Sequence, residues 1–341
     1  AWPPKQRYMA PNPTRPLIED PPLDTAAQPL FERLTEPGCC SLAWWATDSA
    51  AVRYFNGPEE TISRTYQQPL MGSSAAPVDG LTPVSVSPTG TYSYRWQAEN
   101  IAVTRASDGR TVPLFTSGTW AAFPPNGTRL LWQRFPDDPV PGNAPPLTEI
   151  WVAASDGGSR ELITTQTGGS IHWLDDERIL LARRDWQTLS STLSIYDLRT
   201  RSTTQLFRAE NIRGLSVSPG GASIIFWLSF QKDSSNDGIY LLESKAGAQP
   251  QKLSFFGSYR WRDSHTLIYI PYELGRPMQF VEYDSRTGSA LRLTEPEKQP
   301  FSILNDEWSI APDGSKILYW DAGDKALWVV TLPTLKAEAL G

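Results

Sequence analysis

Hydrophobic positions along this chain alternate over short runs rather than recurring every three to four residues, and nearly every run starts behind a tight polar turn. The pattern returns seven times: "WATDSAAVRYF" from Trp45, "VSPTGTYSYRW" from Val86, "FPPNGTRLLWQ" from Phe123, "WLDDERILLA" from Trp173, "VSPGGASIIFW" from Val217, "WRDSHTLIYI" from Trp261 and "IAPDGSKILYW" from Ile310. In each, an apolar residue precedes a four-residue turn of Pro, Asp, Asn or Gly type, and an alternating apolar strand follows. Such a unit reads as a β-hairpin. A second hairpin follows most copies, as in "ENIAVTRASDGRTVPLF", "TEIWVAASDGGSRELI" and "MQFVEYDSRTGSALRLT". Two hairpins make a four-stranded sheet that cannot bury both faces alone. Stacked copies at intervals of about 40 to 50 residues therefore predict a closed ring of sheets.

The expected fold is an all-β, seven-bladed β-propeller, with six blades as the alternative because the second hairpin of the first copy ("EETISRTYQQPL") is irregular. Residues 1–29 are Pro-rich and without period, and read as an extended N-terminal arm, with the propeller occupying residues 30–341. "LFERLTEP" from Leu30 echoes "ALRLTEP" from Ala290, the outer strand of the sixth copy. Leu30 to Leu34 is therefore predicted to add as an outer strand to the last blade, fastening the ring. The arm itself is expected to engage another protein or the propeller's own side.

Composition narrows the function classes. With 341 residues, 40% of them hydrophobic, the chain can bury a large core; 30 prolines and 24 glycines suit a turn-rich β-protein. The net charge of −6 offers no basic stripe for nucleic acid. No apolar run is long enough to span a membrane as a helix. The first residue is alanine, and removal of a signal peptide is the expected reason, with a trimmed chain as the alternative.

The S-P-x-G turn followed by an apolar strand, then "IY-x-x-D…G-x-x-x-x-LT", resembles the TolB-type propeller repeat of extracytoplasmic bacterial proteins. The resemblance covers about residues 38 to 341, though "ATDS", "LDDE" and "RDSH" depart from the turn pattern. It implies the propeller fold and an extracytoplasmic location: secreted, periplasmic or at the cell surface. Propellers of this type serve as partner-binding platforms, ligand sensors and peptidase lids. "GCCSLAWWATDS" is also similar to uncharacterised propellers in which a Cys-Cys pair precedes the first blade.

Both cysteines of the chain, Cys39 and Cys40, are adjacent. In each copy the residues just before the innermost strand should reach one mouth of the central channel, which places Cys39, Cys40, Trp44, Thr119, Arg213, Asn305 and Asp306 there as candidate ligand or partner contacts. No third cysteine exists, so Cys39 and Cys40 are expected to bond to each other. Neighbouring Cα atoms lie about 3.8 Å apart, closer than disulfides usually require. The resulting rigid apolar knob could lock the structure or contact a ligand, and free or redox-active thiols are the remaining alternative.

A catalytic constellation is not legible. The two histidines, His172 and His265, have no nucleophile at recognisable spacing, and no G-x-S-x-G elbow occurs. Asp175, Asp176 and Glu177 lack calcium-loop spacing and read as a solvated turn. Trp45, Trp173, Trp261 and Trp308 read as packing between blades, and Asn126 in "PNGT" as a hairpin turn rather than a glycosylation site. The leading expectation is thus a non-enzymatic protein-binding or assembly platform with no catalytic residues, metal or cofactor. The alternative is a small-molecule or glycan-binding module at the channel mouth, and a lyase or hydrolase comes third.

Overall fold

The computed structural model describes residues 21–24, 29–40, 42–55, 65–72, 74–78, 85–87, 91–97, 100–116, 118–136, 147–273, 275–304 and 307–333. The described strands form seven four-stranded antiparallel sheets, the seven blades of a β-propeller. Blades 1 to 6 each use four consecutive strands, spanning 43–78, 85–116, 118–167, 169–210, 212–252 and 257–292. Blade 7 takes Trp308–Ile310, Lys316–Asp321 and Ala326–Thr331 from the end of the chain and completes itself with Leu30–Arg33 from near its start.

That shared blade is the fastening expected from the internal echo. Leu30 pairs with Thr331 and Arg33 with Trp328. Beyond the strand, Leu34 N donates to Leu327 O at 2.8 Å, and the Thr35 hydroxyl accepts from Leu327 N at 3.0 Å. Phe31 joins the core cluster of Phe280, Phe301 and Tyr319 between blades 6 and 7. Upstream, Pro22 and Asp24 bond Arg292 on both sides, so the chain edges blade 6 before it crosses to blade 7.

The strand alternation explains the core. In the second strand of blade 5, Ile224, Phe226 and Leu228 face blade 4 while Ile225 and Trp227 face blade 6, so both faces of one sheet are buried. Large aromatic residues on the innermost strands then tie neighbouring blades together. Trp45 Nε1 donates to Ser309 O (3.4 Å), Trp173 Nε1 to Ala122 O (3.0 Å), Trp261 Nε1 to Ser216 O (3.5 Å) and Trp308 Nε1 to Ser258 Oγ (2.7 Å). Their expected role as packing between blades holds, with an added polar handle on each. Trp45 to Ser309 joins the first blade to the last.

The turns behave as their residue types require. Asp175 Oδ1 accepts from Glu177 N and Arg178 N, and Asp176 Oδ1 from Asn126 N, so these acids order their turns. Asn126 Oδ1 accepts from the Thr128 backbone and hydroxyl, closing its own hairpin.

Candidate functional site

Antiparallel alternation fixes which loops share a face. If the innermost strands all run one way, the connection from second to third strand and the linker into the next blade fall at the same end of the ring. That end carries the cysteine pair, so it is the mouth expected from the sequence.

Cys39 and Cys40 are bonded to each other, with Cα atoms 3.7 Å apart. Cys40 has φ 52, in the left-handed region that a non-glycine side chain enters rarely. Both residues are half-buried and pack against Val52, Tyr54, Leu318, Leu327 and Val329, in the seam between blades 7 and 1. Trp320 Nε1 donates to Cys39 O at 3.0 Å, and Gly38 N donates to Lys325 O at 2.8 Å. The pair is therefore tied to the fastening of the ring. Replacing both cysteines by serine is expected to lower the thermal midpoint by about 1–2 °C, because a loop this short restricts the unfolded chain only slightly. Thermal unfolding of the double variant with and without reductant checks this. An unchanged midpoint would remove the pair from the fastening.

The other sequence-selected residues separate. Arg213 is exposed on the innermost strand of blade 5 (Ile212–Val217), its guanidinium 5.3 Å from the centre of the Phe230 ring. Trp44 lies half-buried on the innermost strand of blade 1, its ring 5.3 Å from that of Phe55. Thr119 belongs to the innermost strand of blade 3, Gly118–Ala122. Asn305 and Asp306 lie outside the described residues. Among the described residues, no contact joins Arg213 to Trp44.

Sequence reading missed the residues that dominate this face. Trp186, Phe230 and Tyr272 stand on second-to-third-strand connections of blades 4, 5 and 6, and Phe256 on the linker into blade 6; all four are exposed, Phe230 to 67%. Arg184 lies over the Trp186 ring at 4.5 Å. The Phe256 ring stands 4.9 Å from Trp227 and 6.2 Å from Tyr272. A guanidinium over a ring gains electrostatic attraction and leaves its N–H edges available to oxygen ligands.

Charge is distributed unevenly here. Arg183, Arg184, Arg208 and Arg213 come to this end of blades 4 and 5; among the described residues none is in an ion pair with a carboxylate, and only Arg208 acts on one, its charge adding to the hydrogen bonds that stabilise Asp185. Nearby carboxylates, Glu210 excepted, are committed elsewhere. Asp185 accepts from Gln187 N and Thr188 N, and hydrogen bonds from Thr188 and Gln187 hold its carboxyl below the usual range. Asp233 is held down likewise by Ser235, Asp237 accepts from Gln231 N, and Glu273 pairs with Arg276 at 3.0 Å. An acidic chain thus presents a local surplus of arginine among exposed aromatic rings.

Deeper in the ring, His172 Nε2 lies 3.1 Å from Ser170 Oγ on the innermost strand of blade 4. Burial pushes its pKa below the ordinary 6.5, so the imidazole is neutral at pH 7. The unfolded chain then takes up a proton first as pH falls below 6.5. Stability is full above that pH and declines as pH drops towards the folded-state value. His172→Gln is expected to flatten this part of the profile, read as the urea midpoint between pH 7 and 5; a slope identical to wild type would assign it to other groups.

No family model matches the sequence, and no curated protein matches it. Solved structures do. An oligogalacturonate lyase in complex with manganese superposes with a TM-score of 0.62 at 12% identity, covering 90% of this chain and 97% of its own. The oligogalacturonate lyase of Vibrio parahaemolyticus gives 0.62 at 11% identity, covering 91% and 96%. TolB from Acinetobacter baumannii gives 0.44 at 16% identity, covering 73% and 62%, a likeness too low to build on. Peptidases are also among the similar structures.

At these identities the likeness shows the fold: a seven-bladed propeller, as expected. It also corrects the functional expectation. The non-enzymatic assembly platform does not stand, because the structures matching across nine-tenths of the chain are enzymes, two oligogalacturonate lyases and the tricorn protease, which agrees better with the alternative of a ligand at the mouth. The fold alone does not establish an activity. Manganese belongs to the lyase complex; among the described residues here, no three His, Cys, Asp or Glu side chains converge to hold a metal ion, and no step is assigned to one. Among the same residues, no helix is long and apolar enough to cross a membrane.

Proposed function

We propose that this propeller binds an acidic glycan at the mouth of its channel, over blades 4 to 6. The observation that carries the reading is Arg213, exposed, without a carboxylate partner among the described residues, and lying over the exposed Phe230 ring. Sugar rings present apolar C–H faces that suit flat aromatic surfaces, and carboxylates suit the guanidinium fork. Arg184 over Trp186 repeats the combination on blade 4. The two oligogalacturonate lyases support the same ligand class, since their named substrate is an oligomer of acidic sugars. Trp44, Cys39, Cys40 and Thr119 complete the proposed contact set; Asn305 and Asp306, proposed with them from the sequence, lie outside the described residues. The proposed binding unit is residues 30–341, with residues 1–29 as a separate Pro-rich segment of the sequence. An extracytoplasmic location fits the Cys39–Cys40 bond, which persists in oxidising surroundings.

Calorimetric titration with tetragalacturonate and with a neutral tetrasaccharide tests the proposal. Saturable binding of the acidic sugar that weakens as salt rises is expected. Equal binding of both, or of neither, contradicts it. A second reading, cleavage of the bound glycan as a lyase or hydrolase, is favoured by the same similar structures; new ends appearing in the glycan during incubation would support it.

A further inference from the structure

The seam between blades 5 and 6 has a feature that packing does not account for. Trp227 and Ser229 lie two residues apart at the end of the second strand of blade 5, Ser223–Leu228, and Trp227 faces blade 6. The indole Nε1 of Trp227 and the Oγ of Ser229 are both buried and have no hydrogen-bond partner. Native interiors rarely tolerate such groups, and each raises the free energy of the unliganded fold. The tryptophans of the innermost strands differ: Trp45, Trp173, Trp261 and Trp308 all have acceptors for their indole N–H.

The surroundings of the two groups suit a ring-shaped polar guest. Phe256 stands over Trp227 at 4.9 Å, and its other side meets the edge of Tyr272 at 6.2 Å. Both rings are exposed, Phe256 to 38% and Tyr272 to 43%. Below them, Tyr259 Oη donates to Gly214 O at 2.6 Å, so the floor is already satisfied and holds the two blades together. Gly214 has φ 59, and a Cβ there would lie 3.2 Å from Tyr259 Oη, which keeps the backbone beside Arg213 close to the seam.

We infer that this seam is a subsite for one pyranose ring of the glycan, resting on the proposed function. The ring stacks on Tyr272 and Phe256. A hydroxyl or carboxylate oxygen accepts from Trp227 Nε1, and a second sugar hydroxyl pairs with Ser229 Oγ. Nε1 is buried in the free protein and the Phe256 ring stands 4.9 Å from that of Trp227, so the Phe256 side chain swings off the indole to admit the sugar and rests against the face of the bound ring. Arg213, the residue before Gly214, receives the carboxylate of the adjoining unit.

Titration of tetragalacturonate into the full chain and three variants tests the subsite. Trp227→Phe keeps the ring and removes the donor, Ser229→Ala removes the hydroxyl, and Arg213→Ala serves as the reference for the mouth. Trp227→Phe is expected to weaken binding about tenfold. In wild type, the indole resonance absent from the Trp227→Phe spectrum should move on saturation, which keeps the test open if that variant folds poorly. Binding lost in Arg213→Ala but unaltered in Trp227→Phe and Ser229→Ala, with a stationary indole resonance, overturns the subsite and leaves the proposed function standing. Absence of binding to wild type overturns both.

Discussion

A chain lacking residues 1–36 is expected to unfold about 6–8 °C below the full protein. The deletion removes the fourth strand of blade 7, the Phe31 ring from the blade 6–7 cluster, and the Thr35 hydroxyl that accepts from Leu327. A lost partial burial of Phe, a lost buried hydrogen bond and an opened sheet edge together sum to roughly 4–6 kcal/mol. In a chain of 341 residues each kcal/mol moves the midpoint by about 1.4 °C. Phe31→Ala, which leaves the strand in place, should lose about a third of that. Differential scanning calorimetry separates the two, and a deletion variant with the wild-type midpoint would show that the ring closes without its fastening.

Much of this fastening was legible beforehand, because a strand sequence that repeats within one chain must find an equivalent place in the ring. The echo of "LFERLTEP" in "ALRLTEP" placed Leu30–Arg33 on an outer edge, and the blade lacking an outer strand was the last. The seven blades were readable for a related reason: turn chemistry and alternation are local signals, and seven copies in register reinforce one another. The tryptophans of the innermost strands followed from their phase in the repeat.

The site was less legible. Repeat phase put Cys39 and Cys40 just ahead of an innermost strand and Arg213 near the start of another, at one end of the ring, and the structure has them at those positions. The same phase assigns the second-to-third-strand connections to the same face, where "RRDWQ", "SFQKD" and "PYELG" each follow an apolar strand with an exposed aromatic. That signal was present and was passed over, because an aromatic beside a strand reads first as core. Exposure of Trp186, Phe230 and Tyr272 depends on what the neighbouring blade leaves uncovered, which no local pattern records. The freedom of the arginines is also a tertiary property: it arises because Asp185, Asp233, Asp237 and Glu273 are spent on their own turns or on Arg276.

Arg213→Ala is expected to weaken tetragalacturonate binding by about 10- to 100-fold, the loss of one charge-assisted hydrogen-bonded pair. Phe230→Ala should act in the same direction more weakly, since Phe230 holds the guanidinium in place. Neither change touches a core cluster, so the thermal midpoint should stay within about 1 °C of wild type, as surface substitutions generally do. Arg213→Lys keeps the charge but loses the planar fork, and should recover only part of the affinity. Equal affinity across Arg213→Ala, Arg213→Lys and wild type would take Arg213 out of the site.

The most direct measurement is a crystal structure of the full chain soaked with tetragalacturonate. The account predicts sugar density on the mouth face over blades 4 to 6, with a carboxylate at the Arg213 guanidinium and a ring against Phe256 and Tyr272. Density confined to the opposite face or the outer edge of the blades would contradict it, as would a mouth left empty at saturating ligand.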